Sequence, residues 1–84
     1  MERLKTSDRK VVGSKETTKR LERSQVKVVY VAMDAQERVI TPVLRLAEER
    51  GVEIVRVPSM AELGQAAGIK VGAATAAILT DTAV

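Results

Sequence analysis

The residues best equipped for chemistry sit together in Val12-Gly13-Ser14-Lys15-Glu16-Thr17-Thr18-Lys19-Arg20. Gly13 followed by Ser14, an N-cap residue type, marks the start of a helix. Such a start offers unsatisfied backbone N–H groups and a partial positive charge, a ready site for phosphate. Gly13 also removes the side chain that would block a close approach. Lys15 and Lys19 stand four apart and share a helix face, as do Glu16 and Arg20. A lysine hydrogen-bonds guanine O6 or N7, whereas a glutamate accepts only from base donors such as amino or imino groups. A carboxylate inside a basic patch therefore suits base reading better than phosphate binding. The same residues also fit an ordinary capped surface helix with intrahelical ion pairs, and on this segment alone both descriptions stay open.

A second constellation is Gly68-Ile69-Lys70-Val71-Gly72, in which two apolar side chains flank a lysine between glycines. On a loop, Ile69 or Val71 can pack on an unstacked base while Lys70 meets phosphate. The plainer alternative is a pair of core-capping apolar residues with one solvated lysine. The segment is neither a membrane-helix GxxxG nor a nucleotide-binding turn, and the chain has no Walker pattern.

What is missing narrows the chemistry further. The chain has no histidine and no cysteine, which removes the usual general base, the commonest transition-metal ligand, every thiolate nucleophile and any disulfide framework. No catalytic residue, cofactor or metal site is expected. Asp34, at the end of an apolar run, resembles the acid of a response-regulator receiver, but the chain is too short for that fold and no acidic pair precedes it. Tyr30 is the only aromatic residue, so readers that stack bases on aromatic platforms are excluded. Any RNA bound must be read through shape, phosphates and base edges.

At 84 residues the chain is read as one domain, with 45% apolar and 30% charged residues and near-zero mean hydropathy, the ordinary globular class. The start is too polar for a signal peptide and no apolar run approaches the roughly 20 residues of a membrane span, so a soluble cytoplasmic monomer is expected. The net charge of +3 is uneven: residues 1–27 hold 9 Lys/Arg against 4 Asp/Glu, and residues 28–84 hold 5 against 7. The first third is thus expected to form a basic face that attracts a polyanion through counterion release, with RNA the natural candidate.

The elements that must position these residues follow from the pattern. Val26-Lys-Val-Val-Tyr-Val-Ala-Met33 reads as a central strand covered on both faces. Thr41-Pro42 predicts an N-cap and first helical residue, opening a helix of about ten residues that Gly51 stops. Val52-Glu-Ile-Val-Arg-Val57 completes a βαβ unit with parallel strands. Ser59-Met-Ala-Glu62 is a capping box opening a helix that Gly68 ends, with Leu63, Ala66 and Ala67 facing the core. Ala73-Ala-Thr-Ala-Ala-Ile-Leu79 reads as the last strand, although its alanines also favour helix. In front, Lys10-Val11-Val12 predicts an edge strand, and the helix from Ser14 to about Arg23 is polar almost all round, only Leu21 offering itself to a core. The order α-β-α-β-α-β-α-β predicts an α/β fold, a three-layer α-β-α sandwich with a small mixed four-stranded sheet.

Two motifs carry a resemblance across nearly the whole chain. Gly13-Ser14-Lys15-Glu16-Thr17-Thr18-Lys19 resembles the G-x-N/K-E/Q-x-x-K signature of the L7Ae-type, kink-turn-binding ribosomal-protein superfamily. Leu63-Gly64-Gln65-Ala66-Ala67-Gly68-Ile69-Lys70-Val71-Gly72-Ala73-Ala74 resembles its L-G-x-A-x-G-x-x-V-G-A-A stretch, and the small bacterial YbxF-like members look most similar. The resemblance implies a structured RNA partner, a kink-turn in ribosomal or leader RNA, bent at a bulge beside tandem sheared G·A pairs. It also implies that Gly13, Lys15, Glu16 and Lys19 contact the G·A region while Ile69, Lys70 and Val71 line the bulge. Lys15 departs from the asparagine usual in archaeal and eukaryotic members. Ser14 and Arg20 complete the candidate set on the residues' own evidence. A protein-interaction or regulatory module on the same fold is the rival reading, since fold does not fix function. Neither reading calls for a small-molecule substrate or a membrane.

Overall fold

The computed structural model describes residues 1–80, so the last four residues of the expected domain lie outside the described part. The elements run α1 (Glu2–Thr6), β1 (Lys10–Val12), α2 (Ser14–Glu22), β2 (Val26–Ala32), α3 (Glu37–Glu49), β3 (Glu53–Val57), α4 (Met60–Ala67) and β4 (Thr75–Leu79). The sheet order is β1-β4-β2-β3. β2 and β3 are parallel, with Tyr30 opposite Val55, while β4 runs antiparallel to both β1 and β2. The α/β sandwich around a mixed four-stranded sheet is as the sequence predicts.

β2 owes its continuous apolar run to burial from both sides. Val28, Tyr30 and Ala32 pack with Leu4 of α1 and with Leu63, Ala66 and Ala67 of α4. Val29 and Val31 pack on the other face with Leu21 of α2 and Ile40, Val43 and Ala47 of α3. Val26 joins that second face although it is three residues from Val29, because β2 advances from Val26 to Val28 while β4 steps only from Leu79 to Ile78. The extra residue of this bulge is Lys27, which is exposed. β4 is buried along its whole length, and its flanking strands explain why the alanine-rich segment is extended. Its backbone groups pair on both sides, and Ala76 and Ala77, fully buried, let the helices approach closely.

Three local expectations need correction. α3 starts at Glu37, not at Thr41, and Pro42 lies inside it. Val39 and Ile40 stand four and three residues before Val43 on the same apolar stripe. Ile40 is buried and Val39 packs on the core, so burial outweighs the local Thr-Pro signal. Ser14 is not the N-cap of α2: Gly13 is, at φ 99° and without a side-chain cap, a backbone conformation that favours glycine. Nor is α2 nearly devoid of core residues, because Thr17 is buried as completely as Leu21. Gly68 does end α4 in the left-handed conformation, φ 83°.

β1, β2 and β3 point one way and β4 the other. The helices that follow the first three strands therefore open along one edge of the sheet, and the loop feeding β4 arrives at that same edge.

Candidate nucleic-acid interface

At this edge the start of α2 is fastened to the start of β4. The Gly13 N–H donates to the Thr75 carbonyl at 2.9 Å, and the Thr75 hydroxyl donates to the Ser14 hydroxyl at 3.4 Å. Thr75 follows directly on the 68–74 segment, so the two constellations, far apart in the chain, share one edge. Ser14 is thereby half-buried, with its hydroxyl turned to the sheet.

Lys15 and Lys19 are exposed. Glu16 is half-buried, and its Oε1 accepts from Arg20 Nε at 3.3 Å. Arg20 also donates from Nη1 to Gln25 Oε1 at 3.0 Å, so its guanidinium is engaged within the protein and holds the Glu16 carboxylate. With no side chain capping α2, its opening N–H groups are left for a ligand or water.

The 69–72 loop folds back on α4. Ile69 N–H donates to the Gly64 carbonyl at 3.0 Å and Ala73 N–H to the Met60 carbonyl at 3.0 Å. The backbone of Val71 crosses Gly64, and Gly72 lies against the start of α4 at Met60. The apolar pair of this loop divides its roles: Ile69 is half-buried and packs against the core, whereas Val71 is 71% exposed. Lys70 is exposed between them.

The start of α4 is held by two side chains. Ser59 Oγ accepts from the Glu62 N–H at 3.1 Å, the expected half of the capping box. The Glu62 carboxylate accepts from the Ser59 hydroxyl at 3.0 Å rather than from its N–H. Asp34 Oδ1 accepts from the Met60 N–H at 2.8 Å, so the strand-end acid is a helix cap. The sequence reading missed this role. Met33, read there as the last strand residue, lies one position beyond β2 and is 47% exposed beside Asp34.

The basic first third does not form a single face. Arg3, Arg9 and Lys27 border a concavity of about 220 Å³ at the opposite end of the sheet, whereas Lys15 and Lys19 lie on α2. At that far end Arg3 donates from both terminal nitrogens to the Glu53 carboxylate, at 3.0 and 3.1 Å. This hydrogen bonding, with the accompanying charge attraction, holds the Glu53 carboxyl below its ordinary range and raises the Arg3 guanidinium. Among the described residues no group of His, Cys, Asp and Glu is arranged to hold a metal ion, and no helix is long and apolar enough to cross a membrane.

Comparison with known proteins gives a consistent family. An RNA-binding protein of Bacillus pumilus is 48% identical over 69 residues, covering 82% of this chain and 84% of that protein. The large ribosomal subunit protein eL8 of Halobacterium salinarum is 44% identical over 68 residues, covering 80% of this chain and 57% of its own length. In fold, the Giardia lamblia 15.5kD RNA binding protein superposes with a TM-score of 0.85 over 96% of this chain and 68% of that one, at 23% identity. The family's model matches residues 1–84, and the chain belongs to the ribosomal protein L7Ae/L30e/S12e/Gadd45 family.

Proposed function

We propose that this chain is a non-catalytic RNA-binding protein that recognises and stabilises kink-turns, acting as a cytoplasmic monomer, with ribosomal RNA among its candidate targets. The observation that carries the reading is the fastening of Gly13 and Ser14 to Thr75. It ties a charged, uncapped helix start and a loop presenting Lys70 and Val71 to one sheet edge. Relatives that are themselves RNA-binding and ribosomal proteins support it.

In this reading the start of α2 enters the groove at the tandem G·A pairs. Gly13 permits the close approach, Lys15 donates to guanine acceptors, and Glu16 accepts from base donors while Arg20 keeps its carboxylate in place. Lys19 meets backbone phosphate on the same helix face. The extruded bulge nucleotide packs on Val71, with Ile69 supporting the loop from the core and Lys70 meeting a phosphate. Ser14 contributes its backbone, since its hydroxyl is bonded to Thr75. Binding the kinked form better than the extended one shifts the RNA population by that difference in affinity, and no covalent step is required.

The test is a titration, at physiological salt, of the purified protein against a kink-turn RNA and against the same RNA with its G·A pairs replaced by Watson–Crick pairs. Tight binding to the first alone is expected. Equal weak binding to both leaves only a charged surface and overturns the reading.

A further inference from the structure

A groove of about 460 Å³ runs between α2 and α3, lined by Ser14, Lys15, Thr18 and Lys19 on one side and Val39 and Pro42 on the other. It starts at the sheet edge, where α2 opens, and is therefore continuous with the recognition cluster. Lys15 and Lys19 stand on its α2 wall one turn apart, about 6 Å along the axis. On α3, Arg38 and Arg45 are exposed and bracket Pro42 at four residues before and three after, which puts them on its side of the helix. Glu22 lines the groove as well, at the far end of α2.

Pro42 is the unusual member. It lies inside α3, where a proline loses the hydrogen bond its N–H would make to the Arg38 carbonyl and costs on the order of 3 kcal/mol in a helix interior. Its ring is exposed, so no core packing demands it. What it gives the groove is a rigid apolar wall without a donor, facing Lys15 and Lys19, with the exposed Arg45 and Arg38, whose Nε donates to Gln36 Oε1 at 3.0 Å, nearby on α3. That combination fits a ribose-phosphate strand, whose sugars pack on aliphatic surface while its phosphates meet ammonium and guanidinium groups. The Glu22 carboxylate sets the end of the track, since a polyanion is repelled there.

We infer that the α2–α3 groove is a second RNA contact surface, holding the backbone of the helical arm that adjoins the G·A pairs. The inference rests on the kink-turn reading above and lengthens its footprint from the sheet edge by about 12 Å, the span of α2 from Ser14 to Glu22. The contact carries no base information; it adds affinity that depends on salt and on the length of that arm.

The experiment titrates the full chain with a kink-turn RNA carrying a long G·A-side arm and with the same RNA cut back on that arm. Pro42→Glu puts a negative charge on the groove wall, and Pro42→Gln removes the ring without a charge. Both restore the backbone N–H, so neither threatens folding, and urea unfolding of each checks this. Thr6→Glu, on α1, controls for a change in overall charge. Pro42→Glu is expected to weaken the long-arm RNA about tenfold and Pro42→Gln about threefold, with Thr6→Glu within about twofold, and the slope of log K against log salt to be steeper by about one for the long arm than for the short. On the cut-back RNA all variants bind as the wild type does. Wild-type affinity of Pro42→Glu for the long-arm RNA, or the same loss on both RNAs, overturns the inference. If the wild type fails to prefer kinked RNA, the kink-turn reading falls separately, and the groove is judged by whether Pro42→Glu weakens plain duplex RNA.

Discussion

The carbonyl oxygen of Val71 fills the space that a β-carbon on Gly64 would occupy, and the Cα of Gly72 lies 3.1 Å from the same point. A glycine inside a helix costs about 0.5–1 kcal/mol relative to alanine, and here the cost has a visible return: the loop that presents Val71 rests directly on the α4 backbone. Gly64→Ala must push this loop outward. It is expected to lower stability by about 1–3 kcal/mol in urea unfolding, and to weaken kink-turn RNA more than a straight duplex. A destabilised protein with unchanged kink-turn affinity would remove the loop from the proposed contact.

Glu16 and Lys15 divide the predicted reading of the G·A pairs between an acceptor and a donor. Glu16→Ala and Lys15→Ala should each weaken kinked RNA by about 1–3 kcal/mol; Glu16→Ala should leave an unkinked duplex nearly unaffected, and Lys15→Ala, which also removes a charge from the α2–α3 groove, should weaken it far less than the kinked RNA. Folding should change little, because the Glu16–Arg20 pair is a partly exposed i,i+4 contact of a kind worth a few tenths of a kcal/mol. Equal losses on both RNAs would show that these residues supply charge and read no base.

Much of this was legible in local sequence because it is determined locally. The continuous apolar run of β2 reports burial on both faces, Gly68 reports a left-handed helix end, and Ser59 reports a cap. The misjudged positions are those where a distant partner decides. Thr41-Pro42 looks like a helix start until Val39 and Ile40 find a core to enter. Ser14 looks like a cap until Thr75 takes its hydroxyl, and Thr17 looks like surface until the folded core buries it completely. The two site motifs were visible separately. Their meeting depends on β4 inserting between β1 and β2, a pairing of residues more than 60 positions apart, which no short-range pattern encodes.

Asp34 acts through the Met60 N–H, and that specifies how its substitutions should differ. Asp34→Ala leaves the first turn of α4 one acceptor short and should cost about 0.5–2 kcal/mol, whereas Asp34→Asn, which keeps an acceptor oxygen, should retain most of it. Equilibrium unfolding of the two variants is the measurement. Equal losses would mean that the charge, and not the cap, is what this position supplies.

The Arg3–Glu53 pair ties α1 to the edge strand β3 and makes stability depend on pH. The Glu53 carboxyl is depressed in the folded protein, so its contribution is present above the unfolded carboxylate value and is lost as pH falls through the lower folded value. Acidification into that window should lower the urea midpoint of the wild type more than that of Glu53→Gln. Both groups are exposed, with side chains 53% accessible, so the difference should be small and should shrink in high salt. RNA affinity at neutral pH should be the same for both proteins, because the pair lies at the end of the sheet away from Thr75.

Thr17 presents the opposite case, a residue whose chemistry opposes the fold. Its side chain is fully buried, and its hydroxyl has no hydrogen-bond partner among the described residues. A buried, unsatisfied hydroxyl carries a desolvation cost of about 1–3 kcal/mol. Valine has nearly the same shape and no polar atom, at a small expense in helix propensity. Thr17→Val should therefore raise the unfolding free energy measured in urea by about 1 kcal/mol once the propensity loss is deducted. It should leave kink-turn binding unchanged, because the residue faces the core while Lys15, Glu16 and Lys19 face away from it. A drop in stability would mean that the hydroxyl is satisfied in solution by a bound water, and a specific loss of RNA affinity would assign Thr17 a part in holding the start of α2 in its binding geometry.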